Sequence, residues 1–283
     1  MTLLEHAWRH RTRHFRTTIG FTRPSNTLPV SLTGTSCALN CAHCGRRYLR
    51  GMVAIEHANP AGMTSCLMSG GCDRHGKVPV QAHADLVAEL RVGRGMNWHV
   101  GMITESEIEA IAPQVDVVSF DFLVDEDTIR EVYGLSYTAD DYLRTYEMLR
   151  RHARVIPHLT LGLRAGAFCG EYRALDALRS AGLEALVVLV FVPTAGTRYA
   201  NCPPPALDEV VNFLAQARCT LPQVPIFLGC MRPGGEYRRH LDSLAVRAGV
   251  NKIVNPARSA VQTASTLGMQ TRWESECCVM RSQ

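Results

Sequence analysis

The sequence predicts an α/β protein, folded as a TIM-like (β/α) barrel that is closed or nearly closed. Short apolar, β-branched segments alternate with helix-like segments along the chain, which is typical of βα units around a parallel sheet. The 283 residues are 46% hydrophobic and only 7% aromatic, which suits an aliphatic core of buried parallel strands. About seven or eight such units in a chain of this length favour a barrel. An open doubly wound sheet is the alternative, because one sequence does not reveal strand order.

The N-terminal segment, residues 1–27, is predicted to be a basic helix, 3–15, followed by a linker that includes 21–27. The helix is amphipathic. The segment is basic because it carries Arg9, Arg11, Arg13 and Arg16. One interpretation is a solvated helix that covers one end of the barrel. The other is a docking surface for an acidic partner protein.

Strands are predicted where apolar, β-branched runs end in glycine or polar residues. They cover 28–34, 63–71, 98–103, 115–124, 155–163, 185–192, 225–229 and 251–254. Helices are predicted between them, and the one that begins at 125 has acidic residues in its first turn. They cover 82–92, 105–112, 125–133, 139–151, 171–180, 207–217, 236–248 and 257–267. All belong to a single predicted domain, 1–283, which ends in a cysteine-containing tail, 268–283.

Charge and composition exclude several classes of protein. The net charge of +4 is too mild to indicate wholesale nucleic-acid binding. No apolar run approaches the about 18 residues that a membrane span needs, and the N-terminus lacks the apolar core of a secretory signal. The 11 cysteines are odd in number, and the chain is not small, so a disulfide framework is not expected. We therefore expect a protein of a reducing cytoplasm.

The stretch 28–52 carries the strongest chemical signal. Its strand ends at Gly34, and the following loop holds Cys37, Cys41 and Cys44 before a basic segment that is compatible with a helix. Three thiolates so close in sequence can converge on one ion or cluster, and soft thiolates select zinc, Cu(I) or iron–sulfur clusters. A structural zinc site is usually closed by a fourth Cys or His, and His43 is badly placed for this inside the loop. Two alternatives follow. One is an iron–sulfur cluster with three cysteine ligands, in which one iron stays free to bind a substrate or cofactor. The other is a zinc ion bound by the three-cysteine loop.

This spacing, C-x3-C-x2-C after a strand, resembles the signature of the radical S-adenosylmethionine (SAM) superfamily. The residue before the last cysteine is commonly aromatic in that superfamily and is His43 here. The resemblance implies a [4Fe–4S] cluster held by Cys37, Cys41 and Cys44. It also implies that the open iron binds SAM, and that an electron donor reduces the cluster so that SAM is cleaved to a 5′-deoxyadenosyl radical.

Further candidate SAM-binding residues lie where predicted strands end, at the mouth of such a barrel. Ser69, Gly70 and Gly71 resemble the glycine motif of the superfamily, although Cys72 stands where an acidic residue is usual. Asp121 is expected to be buried at the mouth and to bind or orient a ligand. The remaining candidates, on the fifth and sixth strands, are Gly162, Arg164 and Thr194.

The other cysteines bear on the class of reaction. Cys72 and Cys230 each follow a strand end, while the adjacent Cys277 and Cys278 lie in the tail, which is expected to fold back over the same mouth. Adjacent cysteines near a terminus serve packing poorly, so we predict a second iron–sulfur cluster held by Cys277 and Cys278, with Cys72 or Cys230. A second cluster beside the radical suggests sulfur insertion.

Several motifs together resemble one subunit of the two-component, archaeal-type lipoyl synthase. They are SLTGTSCALNCAHCGRRYL, SGGCDRHGKVP, DEDTIREVYGL, FVPTAGT, LGCMRPGGEYR and ECCV. The resemblance implies a radical SAM sulfurtransferase that acts with a paralogous radical SAM subunit, as a heterodimer. Its implied substrate is the octanoyl group of an acidic lipoyl carrier protein. The alternatives are a radical SAM enzyme that acts on a small molecule without sulfur insertion, and a zinc-binding subunit without catalytic activity.

Overall fold

The computed structural model describes residues 1–280. All the strands in that range pair in parallel and form one sheet, in the order β11-β1-β10-β9-β8-β7-β6-β5-β4-β2-β3. They are β1 Thr18–Thr22, β2 Thr27–Ser31, β3 Val53–Ala54, β4 Ser65–Ser69, β5 Gly95–His99, β6 Val117–Asp121, β7 Val155–Leu161, β8 Leu186–Val190, β9 Ile226–Leu228, β10 Lys252–Val254 and β11 Gln270–Glu274. Sequential strands from β4 to β10 are neighbours, so the predicted α/β barrel is confirmed and the doubly wound alternative is wrong.

The α-helices lie between the strands, as predicted. They are α1 Leu3–His14, α2 Ala84–Arg91, α3 Glu105–Ile111, α4 Glu126–Thr128, α5 Ala139–His152, α6 Glu171–Ala181, α7 Leu207–Thr220, α8 Gly235–Arg247 and α9 Arg258–Thr266. The short α4 continues as a π-helical turn, Ile129–Tyr133. The start of α5 shows why the helices begin where they do: the Thr138 side chain accepts from the Asp141 backbone, and the Asp141 side chain accepts in return from the Thr138 backbone.

The chain itself links the two ends of the sheet. Strand β1 pairs with β10 and β11, whereas β2 pairs with β3 and β4, and only residues 23–26 separate β1 from β2. One bent segment, 18–31, therefore holds the last strands on one side and the first strands on the other. The predicted barrel is therefore confirmed as a partial one, whose two ends are joined by the chain and not by strand pairing.

The two faces of each strand have different surroundings. On β6, Val118 and Phe120 pack outward, and the Phe120 ring lies 6.0 Å from that of Tyr142 on α5. The alternate residues Val117, Ser119 and Asp121 face the interior of the barrel. The apolar core thus lies between sheet and helices, and the interior combines apolar and polar side chains.

The C-terminal tail crosses the end of the barrel where the strands begin. Cys278 and Val279 are buried against a cluster that includes Val117, Ile156 and Val187. Arg154, just before β7, donates to the Val279 carbonyl at 2.7 Å. The expectation that the tail covers the mouth is wrong, because its apolar residues fill the opposite opening, which we call the floor.

Three element predictions are also wrong. Residues 18–22 form β1 rather than leading into a linker, and β5 begins at Gly95 instead of 98. The basic segment after the cysteines contains only a 3-10 turn, Arg47–Gly51. None of the helices within residues 1–280 combines the length and apolar character that a membrane span requires.

Candidate active site

The cysteine triad lies on the loop that leaves the carboxyl end of β2. The Ser31 hydroxyl donates to the Gly34 carbonyl at 2.7 Å, and Gly34 has φ +56°, so the chain turns sharply into the loop. Cys41 is buried, while Cys37 and Cys44 are partly exposed. The side chains of Cys41 and Cys44 are hydrogen-bonded, and this bond lowers the pKa of Cys44 to about 7. The charge of Cys37 helps to raise the pKa of Cys41, so the three thiols lie near one another.

The predicted glycine motif lies directly against this loop. A Cβ atom on Gly71 would lie 1.8 Å from the Ser36 carbonyl oxygen, so only glycine fits there. The Cys72 backbone donates to the Cys37 Sγ at 3.3 Å, and its carbonyl accepts from Ala38 at 2.7 Å. Ser69 at the end of β4 accepts from the Leu32 backbone at 2.8 Å. Backbone groups around Gly70 and Gly71 therefore border the triad, as the sequence predicts.

Cys72 belongs to the triad region. Burial and then the charge of Cys37 raise the pKa of its thiol to about 12. The sequence left two positions for Cys72: beside the triad, where an acidic residue is usual, or with the tail cysteines. The structure places it beside Cys37.

The residues present fit an iron–sulfur cluster with an adjoining organic cofactor. Three convergent soft donors match the ligands that such clusters take. The Nδ1 atom of His43, inside the loop, is buried without a hydrogen-bond partner among the described residues. Its ring contacts those of Tyr48 and Tyr133, with centroids at 6.0 and 5.5 Å. Burial lowers the pKa of His43 to about 4, so a neutral imidazole with an open position faces this site.

Asp121 and Gly162 occupy neighbouring strand ends. Asp121 is solvent-exposed at the end of β6, so the expectation that it is buried is wrong, although the surrounding protein raises the pKa of its carboxyl. Its charge acts on Cys72, which places the carboxyl near the triad. Gly162 has φ +66°, and its backbone donates to Glu171 Oε1 at 2.8 Å. Both therefore lie at the mouth.

Arg164 and Thr194 are engaged with other residues of the mouth. The Arg164 Nε donates to Glu131 Oε2 at 2.7 Å, so its guanidinium is paired with a carboxylate. The Thr194 hydroxyl lies 3.3 Å from the hydroxyl of Tyr48, and it donates to the Val192 carbonyl. Thr194 thus borders the cysteine loop, and Arg164 is bound to Glu131 in this structure.

A second group of cysteines lies in the interior toward the floor. A hydrogen bond from Cys278 lowers the pKa of Cys277 to about 7, and the same bond and burial raise that of Cys278. Cys230, just past β9, is accessible, yet burial and then the charge of Cys277 raise its pKa. The charge of Cys277 thus acts on Cys230 and that of Cys230 on Cys278, while Cys277 and Cys278 are adjacent in the tail.

Sequence reasoning missed the residues that hold this second group in place. Asn97 Nδ2 donates to Cys277 Sγ at 3.3 Å, while its Oδ1 accepts from Ser119 at 2.8 Å. Lys252 donates to the Cys278 carbonyl at 3.1 Å. The signal was available, since Asn97, Ser119 and Lys252 are polar residues within otherwise apolar strands.

The loop that carries Cys230 is fixed by a fully buried ion pair. Arg232 bonds both carboxylate oxygens of Asp242, at 2.7 and 2.8 Å, and donates to the Gly229 carbonyl. Bidentate pairs of this kind fix orientation as well as distance. The position of Cys230 is therefore defined on both sides, by Gly229 and by Arg232.

Comparison with solved structures shows that this fold, a partial (β/α) barrel, recurs in other proteins. The chain is similar to methylornithine synthase (PylB), with a TM-score of 0.66, 13% identity, and coverage of 95% of this chain and 88% of that chain. It is also similar to the FeFe-hydrogenase maturase HydG from Carboxydothermus hydrogenoformans, with a TM-score of 0.69, 15% identity, and coverage of 95% and 71%. No protein-family model and no curated protein matches the sequence.

Proposed function

We propose that this chain is a radical SAM sulfurtransferase of the lipoyl synthase type, which inserts sulfur into the octanoyl group of a lipoyl carrier protein. The observation that carries the proposal is the pair of cysteine groups inside one barrel. One group lies on the loop after β2, at the mouth, and the other is brought in from the floor by the tail. An enzyme that needs only a radical needs one cluster, whereas sulfur insertion also needs a sulfur source.

The residues divide between the two groups as follows. Cys37, Cys41 and Cys44 hold a [4Fe–4S] cluster, and Gly71 lets the backbone approach the bound cofactor closely. Cys230, Cys277 and Cys278 hold the second cluster, which is the expected set with Cys230 and not the one with Cys72. When bound, the first cluster and SAM supply the 5′-deoxyadenosyl radical, and the second cluster supplies sulfide. Asn97 orients the Cys277 thiol, and the Arg232–Asp242 pair positions Cys230.

The interior suits an acyl chain at its lower level. Leu189 and Phe227 pack against the same apolar cluster as Cys277, so a hydrocarbon chain that enters from the mouth meets apolar side chains beside the second cysteine group. The acidic carrier protein would remain outside the barrel, and the paralogous radical SAM subunit completes a heterodimer. Helix α1, which packs against α7 and α8, offers its exposed arginines to the acidic carrier protein.

The test is the iron and acid-labile sulfide content per chain after anaerobic reconstitution. We expect about eight irons in the wild type and about four in a Cys277→Ala/Cys278→Ala variant, the content of two and of one [4Fe–4S] clusters. Cys66→Ala and Cys219→Ala are matched controls, because these thiols lie in neither group, and both should keep the wild-type content. About four irons in the wild type as well as in every variant, with no second cluster restored by adding the paralogous chain, would refute sulfur insertion.

A second candidate is a radical SAM enzyme that acts on a polar small molecule without sulfur insertion. It is favoured by the polar groups of the upper interior. The His99 and His158 rings lie 5.4 Å apart, and the charge of Asp121 acts on His99. Such a site suits a polar ligand better than an alkyl chain. This candidate predicts one cluster, and SAM cleavage that a polar substrate stimulates and an octanoylated carrier protein does not.

A further inference from the structure

An arginine-rich groove lies on the outer side of the cysteine loop. Arg46 and Arg50 are exposed, and together with Thr35, Asn40 and Gly45 they line a groove of about 520 Å³. Every lining residue belongs to the segment 35–50, which also carries the triad. The groove is therefore built from the cysteine loop itself.

The positive charge of this groove is not compensated. Within residues 1–280, no carboxylate lies within ion-pair distance of Arg46, Arg47 or Arg50. The exposed Arg144, by contrast, pairs with Asp141 on its own helix. Uncompensated charge in a concave surface concentrates the field there and attracts a partner of opposite sign.

Arg46 is also held in an unusual backbone conformation. Its φ is +65°, in the left-handed region that non-glycine residues rarely adopt, and its Nε donates to the Leu39 carbonyl at 3.4 Å. Its backbone N–H bonds the Cys44 thiol. Backbone strain of this kind persists only where the surrounding structure enforces it. The turn that presents Arg46 to solvent is thus the same turn that contacts a cysteine of the triad.

We propose that the Arg46–Arg50 groove is the docking surface for an acidic electron-donor protein of low potential. The proposal rests on the proposed function, because the cluster held by the triad must be reduced before SAM is cleaved. The donor gives up one electron and is oxidised, and the cluster accepts that electron. Docking here places the donor against the loop that holds the cysteines, and complementary charge raises the rate of encounter.

The test is binding of an oxidised, acidic plant-type ferredoxin to the reconstituted chain under anaerobic conditions. In Arg46→Gln/Arg50→Gln we expect the dissociation constant to rise about tenfold at low ionic strength, with a shallower dependence on salt. Arg46→Lys/Arg50→Lys keeps the charge and should bind almost as the wild type does. Arg247→Gln/Arg258→Gln removes the same charge from exposed positions of α8 and α9 and should bind unchanged. Reduction by dithionite, a small molecule, should proceed at the wild-type rate in all variants.

Three outcomes would overturn the proposal. Equal ferredoxin affinity in the Gln variant and the wild type would show that the groove is not the docking surface. Slower reduction by dithionite would show that the substitutions perturb the cluster instead of docking. Unchanged ferredoxin binding with weaker binding of an acidic lipoyl carrier protein would assign the groove to the substrate. A wild-type chain that binds ferredoxin but assembles no cluster refutes the proposed function alone.

Discussion

Replacing Gly71 by alanine should remove the cluster at the triad without unfolding the protein. The added Cβ would lie 1.8 Å from the Ser36 oxygen and 2.6 Å from the Cys37 Cα, whereas real Cβ atoms stay at least 3.0 Å from such neighbours. The cysteine loop must therefore retreat by about 1.2 Å, and overpacking of this kind costs about 1–3 kcal/mol. A displaced Cys37 cannot close a site that depends on three convergent thiols.

The assay is iron content after reconstitution, with the change in the electron paramagnetic resonance spectrum of the reduced cluster when SAM is added. Two other glycines complete a graded series. A Cβ on Gly70 would lie 3.2 Å from Thr33 Oγ1, so Gly70→Ala should lose little. A Cβ on Gly234 would meet nothing within 4 Å, so Gly234→Ala should match the wild type. If Gly71→Ala keeps full iron content and the SAM-dependent spectral change, the contact between glycine motif and cysteine loop does not matter to the site.

The remaining predictions concern the interior and its supports. Arg232→Met leaves Asp242 buried and unpaired, so the free energy of unfolding in urea should fall by about 3–5 kcal/mol. The double variant Arg232→Met/Asp242→Leu should recover most of that loss. If the single variant is as stable as the wild type, the role of the pair is contradicted. Burial lowers the pKa of His158 to about 3, so protons bind the unfolded chain more tightly and stability is lost as pH falls below about 6.5. As the pH falls from 7.5 to 5, His158 should lower the free energy of unfolding by about 2 kcal/mol. His158→Gln should abolish that part of the pH-dependent shift of the urea midpoint, whereas His240→Gln, at an exposed position of α8, should not. Asn97→Ala removes the hydrogen bond to Cys277, so the reduction potential of the second cluster should change while that of the first stays the same. If both clusters of the variant keep their wild-type potentials, the assignment of Cys277 to the second cluster is contradicted.

Local patterns were sufficient to predict the triad and most of the barrel. Cys37, Cys41 and Cys44 are close in sequence, and the glycines that contact their loop directly follow a strand. Strands buried on both faces, such as Leu186–Val190, are apolar throughout and need no knowledge of their partners.

The errors arose where a strand's character depends on distant partners. The predicted start of β5 is too late because the polar Asn97 interrupts the apolar pattern. Asn97 lies inside the barrel because its side chain donates a hydrogen bond to Cys277, which is far away in the sequence. Strand β11 gave no signal because almost all of its residues are exposed and it is defined by pairing with β1. The position of the tail follows from that pairing, so the sequence could not show which end of the barrel the last cysteines reach.

The tail that fills the floor also carries two of the thiols. Seating of the tail in the barrel and binding of a group at Cys277 and Cys278 are therefore coupled equilibria. Any group that binds Cys277 and Cys278 only when the tail is seated stabilises the seated state by RT ln(1 + [L]/Kd), where L is that group. A group bound at 100 times its dissociation constant would add about 2.7 kcal/mol to seating. Occupancy of the cysteines and integrity of the barrel's lower end are therefore thermodynamically linked, and each reports on the other. Amide hydrogen exchange along residues 270–280 should slow whenever the second cysteine group is occupied.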